Sequence, residues 1–157
     1  MGRGITITGA RQPAIRSTTA RARRIAFDLG KALGGALGAL AEASSQVLTL
    51  YLPDKDKKGR EVPAHDTWVK DALGLLAQIG GGATCLWGEG SWKNRPEDEP
   101  IIERTAVVYT YVDPKPFLAE LPKLRKFLHR FGRETKQGEV VVEFDSLFYR
   151  IRKYDKE

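Results

Sequence analysis

The sequence predicts an α+β domain of the ferredoxin-like type: a β-α-β-β-α-β antiparallel sheet with an extra C-terminal strand and an N-terminal helix. Three observations carry this. Five short runs rich in Val, Leu, Ile and Tyr read as strands, two longer segments repeat their apolar residues at helical spacing, and Gly or Pro punctuates nearly every junction. At 157 residues and 41% hydrophobic the chain is long enough to bury a core.

Taken in order, 46–52 (QVLTLYL) is a strand stopped by Pro53 and the charged turn 54–60. Asp66 is placed to cap a helix carrying Trp68, Val69, Ala72, Leu75, Leu76 and Ile79, which Gly80-Gly81-Gly82 ends. Residues 83–93 and 101–112 pair across the Pro-bounded connection 94–100. Asp113-Pro114 breaks the second of these strands. Pro122 is expected in the first turn of a helix with Leu124, Phe127, Leu128 and Phe131, ended by Gly132. Residues 139–145 and 147–153 close the order as strands joined around Asp145-Ser146. The sequence order matches a sheet with two helices on one face. On the other face Val47, Thr49 and Tyr51, with Val107, Tyr109 and Tyr111, are too apolar for a plainly solvated surface, so a further layer is expected over them.

Residues 1–45 lie outside this core. They divide into a disordered basic arm, 1–17, and a helix, 18–45, whose Ile25, Leu29, Leu33, Leu37 and Leu40 form one stripe. Gly30, Gly34 and Gly38 beside several alanines cost this helix about 1 kcal/mol each relative to Ala, so packing within the chain or in a homo-oligomer is expected to support it. No run approaches the about 18 apolar residues of a membrane helix, and 32–41 is flanked by Lys31 and Glu42. No membrane partner is therefore expected. The single cysteine, Cys85, leaves no internal disulfide or multi-thiolate zinc site and suits a reducing, cytoplasmic setting.

Of the net +6, most sits in the first 45 residues, which hold seven basic against two acidic side chains. Arg3, Arg11, Arg16, Arg21, Arg23 and Arg24 precede the first acid, Asp28. Such a segment suits phosphate contact, an inert solubilising tail or an organellar transit peptide. A second basic set, Lys123, Arg125, Lys126, Arg130 and Arg133, falls on the second core helix. Arg150, Arg152 and Lys153 alternate with aromatics near the C-terminus, a mixture that grips phosphates and stacks bases. Nucleic acid, or another acidic partner, is the expected ligand of Lys123, Arg125, Lys126, Arg130 and the six arginines that precede Asp28.

Trp68, Gly81-Gly82-Ala83-Thr84, Gly90-Ser91-Trp92 and Tyr109-Thr110-Tyr111 are landmarks of the run Leu48 to Asp145. This run resembles small uncharacterised prokaryotic ferredoxin-like domains; the resemblance implies the fold and no activity. At the end of the first strand, YLPDKD also resembles the small ferredoxin-like CRISPR adaptation proteins. That likeness implies that Asp54 and Asp56 hold a divalent cation for phosphodiester cleavage.

The residues themselves allow a solvated charged loop there instead, with Lys55, Lys57, Lys58 and Arg60 interleaved. An EF-hand is excluded, since Lys58 and His65 stand where that loop needs acids. Two histidines, His65 and His129, form no triad or zinc motif, and His129 is expected at the surface or boundary of its helix. Glu89, facing Glu103 and Arg104 on the next strand, is expected either to pair with Arg104 or to form a carboxylate pair with Glu103. No cofactor is called for. The residues favour a non-enzymatic binding or assembly module over the alternative, a metal-dependent phosphodiesterase using Asp54 and Asp56.

Overall fold

The computed structural model describes residues 31–39 and 46–156. The chain divides into two compact units, 1–43 and 44–157. In the first, residues 31–37 are helical, with Leu33 59% and Leu37 72% exposed, and space opens beside Gly34 and Gly35. The helix expected over 18–45 is interrupted after residue 37, where Gly38 takes φ 64°; the expected arm, 1–17, and the six arginines that precede Asp28 lie outside the described residues.

The second unit follows the predicted order: β1 (Gln46–Pro53), α1 (His65–Gly80), β2 (Thr84–Trp92), β3 (Ile101–Val112), α2 (Pro114–Glu134), β4 (Val140–Phe144) and β5 (Leu147–Ile151). The strands form one antiparallel sheet ordered β2-β3-β1-β4-β5, the ferredoxin-like arrangement with β5 added at one edge. Period-two alternation assigns its faces. Leu48, Leu50 and Leu52 of β1, Ala106, Val108 and Val112 of β3, and Val140 and Val142 of β4 are buried under the helices. From above, Val69, Ala72, Leu76 and Ile79 of α1 meet this layer, while Trp68 packs edge-on against Phe127 and Phe131 of α2.

Several local expectations are corrected. α1 starts one residue before Asp66, after Ala64 in a left-handed conformation (φ 53°), and no side chain caps it. Its C-terminus behaves as predicted: Gly81 (φ 82°) returns its N–H to Ala77 O. The Thr110 hydroxyl donates to Gly82 O and so ties this end of α1 to β3.

α2 begins eight residues earlier than Pro122, because Pro114 supplies a pre-set first turn and Pro122 lies in the interior. Pro122 removes the N–H that would bond the carbonyl of Leu118, and this residue, 65% exposed, leaves that carbonyl to water. Gly132 does not end the helix either; it makes room for the ring of Tyr154, which a β-carbon there would strike. At the β4–β5 turn Asp145 (φ 49°) and Ser146 (φ 68°) both take positive φ, the backbone of a two-residue hairpin that follows the sheet twist.

Candidate functional site

The predicted sites fare differently. In α2, Arg125 makes two bonds of 2.9 Å to Asp155, Arg130 reaches Asp71 at 3.0 Å and lies over Trp68, and Lys123 pairs with Glu120 at 2.8 Å. Lys126 is exposed on the same helix. Three of these four cations are thus already neutralised within the chain. His129, expected at the surface or boundary of its helix, is buried, 7% exposed, because the C-terminal segment folds over it and its Nδ1 accepts the Asp155 N–H at 2.8 Å.

Asp54 and Asp56 do not present a cation site. Asp54 Oδ1 accepts the Arg104 backbone N–H at 3.0 Å, joining the turn to β3. Asp56, 5% exposed, accepts the backbone N–H groups of Lys58 and Arg60 on one oxygen and the Arg60 guanidinium on the other, at 2.6 and 2.8 Å. Burial alone would raise its pKa, but these donors outweigh it and hold the carboxyl down at about 2. A cation would have to displace Arg60 and two backbone donors. Among the described residues no group of three or more His, Cys, Asp or Glu converges as a metal site.

Glu89 and Arg104 are register partners, as expected, yet the guanidinium lies 3.6 Å from the centre of the Trp87 ring and makes no ion pair with Glu89. Glu103 faces Gly90, one residue out of phase with Glu89, so the two carboxylates belong to opposite faces of the sheet. The carboxylate pair suggested by their spacing is therefore not formed.

What the structure gathers instead is on the uncovered face of the sheet. Among the described residues no layer covers it, contrary to expectation: Tyr111 and Phe148 are each 54% exposed and Leu86 is 55% exposed. Tyr51 of β1 donates to Glu143 of β4 at 2.7 Å, and Trp92 of β2 donates from its indole to Glu103 of β3 at 2.9 Å. Phe148 stands 6.3 Å from Tyr51, and Arg150 lies over its ring. Together Tyr51, Trp92, Glu103, Glu139, Phe148 and Arg150 line a depression of about 720 Å³, within the range of small-molecule sites.

Two of its groups are electrostatically poised. Burial, followed by the bond to and charge of Glu143, pushes the Tyr51 phenol up to about 12. Burial also raises Glu103, against the stabilising Trp92 N–H. A cation bound beside Glu103 would offset that desolvation. The alternation of β1 and β3 had placed the tyrosines on this face; Trp92 and Glu103 were missed as a pair because only the strand register brings them together.

No family model matches the chain, and no curated protein sequence matches it. Among solved structures, phage SAM lyase in complex with S-methyl-5'-thioadenosine is similar in fold, with a TM-score of 0.50 and 14% identity over 71% of this chain and 92% of that one. Phage SAM lyase in the apo state gives a TM-score of 0.52 and 14% identity over 76% of this chain and all of the other. At this identity the likeness establishes a shared ferredoxin-like fold.

Proposed function

We propose that the open face of the sheet binds S-adenosylmethionine or a close adenosyl sulfonium, and that the chain is a small enzyme cleaving it to S-methyl-5'-thioadenosine. The observation that carries this is the aromatic and carboxylate depression around Trp92, Glu103, Tyr51 and Phe148. A sulfonium is a cation wrapped in alkyl groups, attracted both by aromatic faces and by a partly buried carboxylate such as Glu103. Adenine stacks on aromatic rings, for which the exposed Phe148 and the half-buried Trp92 are available, and Arg150, 3.7 Å from Glu139, can take a carboxylate in exchange for that partner. The fold shared with phage SAM lyase supports the choice of ligand to test.

Chemically the site asks little of the protein. When the carbon–sulfur bond to the amino-acid chain breaks, its electron pair neutralises the sulfur and the substrate's own carboxylate closes on the vacated carbon as a lactone, so the leaving thioether needs no proton. Orientation of the substrate's own groups then does most of the work. This reading replaces the non-enzymatic module suggested by composition.

The test is calorimetric titration with S-adenosylmethionine and its uncharged thioether analogue S-adenosylhomocysteine, with chromatography for S-methyl-5'-thioadenosine. Tighter binding of the sulfonium is expected, with thioether formation lost in Glu103→Gln while the circular dichroism of the variant stays native. Equal affinity for both ligands, or no product from the wild-type protein, overturns the reading.

A further inference from the structure

A second depression adjoins the proposed adenosyl site, sharing Gln137, Gly138 and Arg152 with it, where two turns meet. The 54–60 turn after β1 and the 135–139 turn after α2 are joined by Lys57 N–H to Lys136 O at 3.3 Å and by the side chain of Gln137, 7% exposed, to Lys55 O at 3.0 Å. Gly138 lies at the meeting point, where a β-carbon would stand at ordinary contact distance, 3.5 Å, from that of Lys57.

This junction collects Lys57, Lys58, Arg60, Arg133, Lys136 and Arg152 around a depression of about 630 Å³, which no carboxylate lines among the described residues. The sequence separates these residues by up to 95 positions, so their charge cannot be read as one cluster from the chain.

The three arginines are partly committed. Arg60 holds Asp56, Arg152 holds Glu139 at 2.7 Å, and Arg133 donates to Asp155 O at 2.7 Å. The three lysines are not: Lys57, Lys58 and Lys136 have no ion-pair partner among the described residues. The arginines are thus held in place by carboxylates and a carbonyl behind them, while the ammonium groups remain open to an incoming anion.

Arg133 also shares one face of α2 with the exposed Lys126 and with Arg130, the latter already engaged by Asp71. Open cations spread over a shallow hollow and onto the neighbouring helix match a chain of phosphates better than a single ion, for which a deeper and more enclosed pocket would be needed.

We infer that this junction binds the phosphate backbone of a single-stranded nucleic acid, with Lys57, Lys58 and Lys136 making the contacts. Binding is sequence-tolerant and driven by counterion release.

The experiment is fluorescence anisotropy of a labelled mixed-sequence single-stranded DNA oligonucleotide against the full chain at several salt concentrations. It compares wild type with the triple variant Lys57→Gln, Lys58→Gln, Lys136→Gln. A control carries Lys70→Gln and Lys115→Gln, exposed lysines outside the junction. All three altered lysines of the junction extend from turns, so the fold is retained, and circular dichroism checks it. Affinity of the triple variant should fall at least about tenfold at low salt, and its slope of log K against log salt should flatten by about 2, at about 0.7 per lost contact. The control should match wild type.

Equal affinity and slope for wild type and triple variant would overturn the inference and assign any binding to other cations of the chain. Absence of oligonucleotide binding would overturn it too. If inorganic pyrophosphate stabilised the wild-type protein thermally while the oligonucleotide did not bind, the hollow would be a small-anion site and the nucleic-acid assignment would fail.

Discussion

The same substitution at two glycines of α1 should change stability in opposite directions. Gly74 is exposed in the middle of the helix, and a β-carbon there meets nothing within 4 Å. Gly74→Ala removes the backbone entropy penalty of a helical glycine and should stabilise by about 0.8–1.0 kcal/mol. Gly80 is the last residue of α1, and its β-carbon would come to 3.1 Å from Thr110 Cβ and closer still to the Thr110 hydroxyl and the Tyr111 carbonyl oxygen.

The Thr110 hydroxyl is already engaged with Gly82 O, and the Tyr111 backbone pairs with Val47 in the middle of the sheet, so neither can give way cheaply. Overpacking of this kind costs about 1–3 kcal/mol. The two variants should therefore differ by about 2–4 kcal/mol, which urea unfolding resolves as a midpoint separation of about 1–2 M for typical slopes. Trp68, buried between the helices, supplies the fluorescence signal. Midpoints moving in the same direction would mean that α1 does not press its C-terminal end on β3.

Two further outcomes follow from titrating groups. Asp56 titrates at about 2 when folded against 3.8 when free, so its contribution is complete above the free value and is lost as the pH falls toward 2. Asp56→Asn should be less stable near neutrality and should lose less stability than wild type between about pH 4 and pH 2; parallel acid limbs in denaturant titrations would show that Asp56 does not order the turn. Tyr51 and Tyr154 both titrate at about 12, through burial first and then through Glu143 and Glu139 respectively, so their contribution holds below the ordinary value of 10.0 and fades as the pH rises toward 12. Ultraviolet difference titration should therefore show two late tyrosines in the wild type and one in Gly132→Ala, where the added methyl displaces the Tyr154 ring; two late tyrosines in the variant would mean that the C-terminal segment does not rest on α2.

Much of the fold was legible because it rests on local periodicity. Leu48, Leu50 and Leu52 alternate with Val47, Thr49 and Tyr51, and a strand can bury only one of the two sets under helices. The glycines after Ile79 and the Asp145-Ser146 pair likewise stop or turn the chain through their own backbone preferences. Where tertiary contacts compete, local reading failed. Gly132 resembled a helix stop, but its role is set by Tyr154, which is brought over α2 by residues far along the chain. Pro122 resembled a helix start, but Pro114 opens the helix and the packing of Phe117 on Phe144 holds its first turns to the sheet.

By itself, then, the sequence determined the element order, the two alternating sets of β1 and β3 and the ferredoxin-like class, since each depends on residues a few positions apart. Tertiary structure alone decided which charges and rings meet. The register of β2 against β3 put Trp92 on Glu103 and kept Glu89 away from it, because a shift of one residue exchanges the faces of a strand. Folding of two distant turns against each other placed Lys57 and Lys58 beside Lys136, and Arg60 took Asp56 out of contention for a cation. Such sites join residues whose separation along the chain is unrelated to their separation in space.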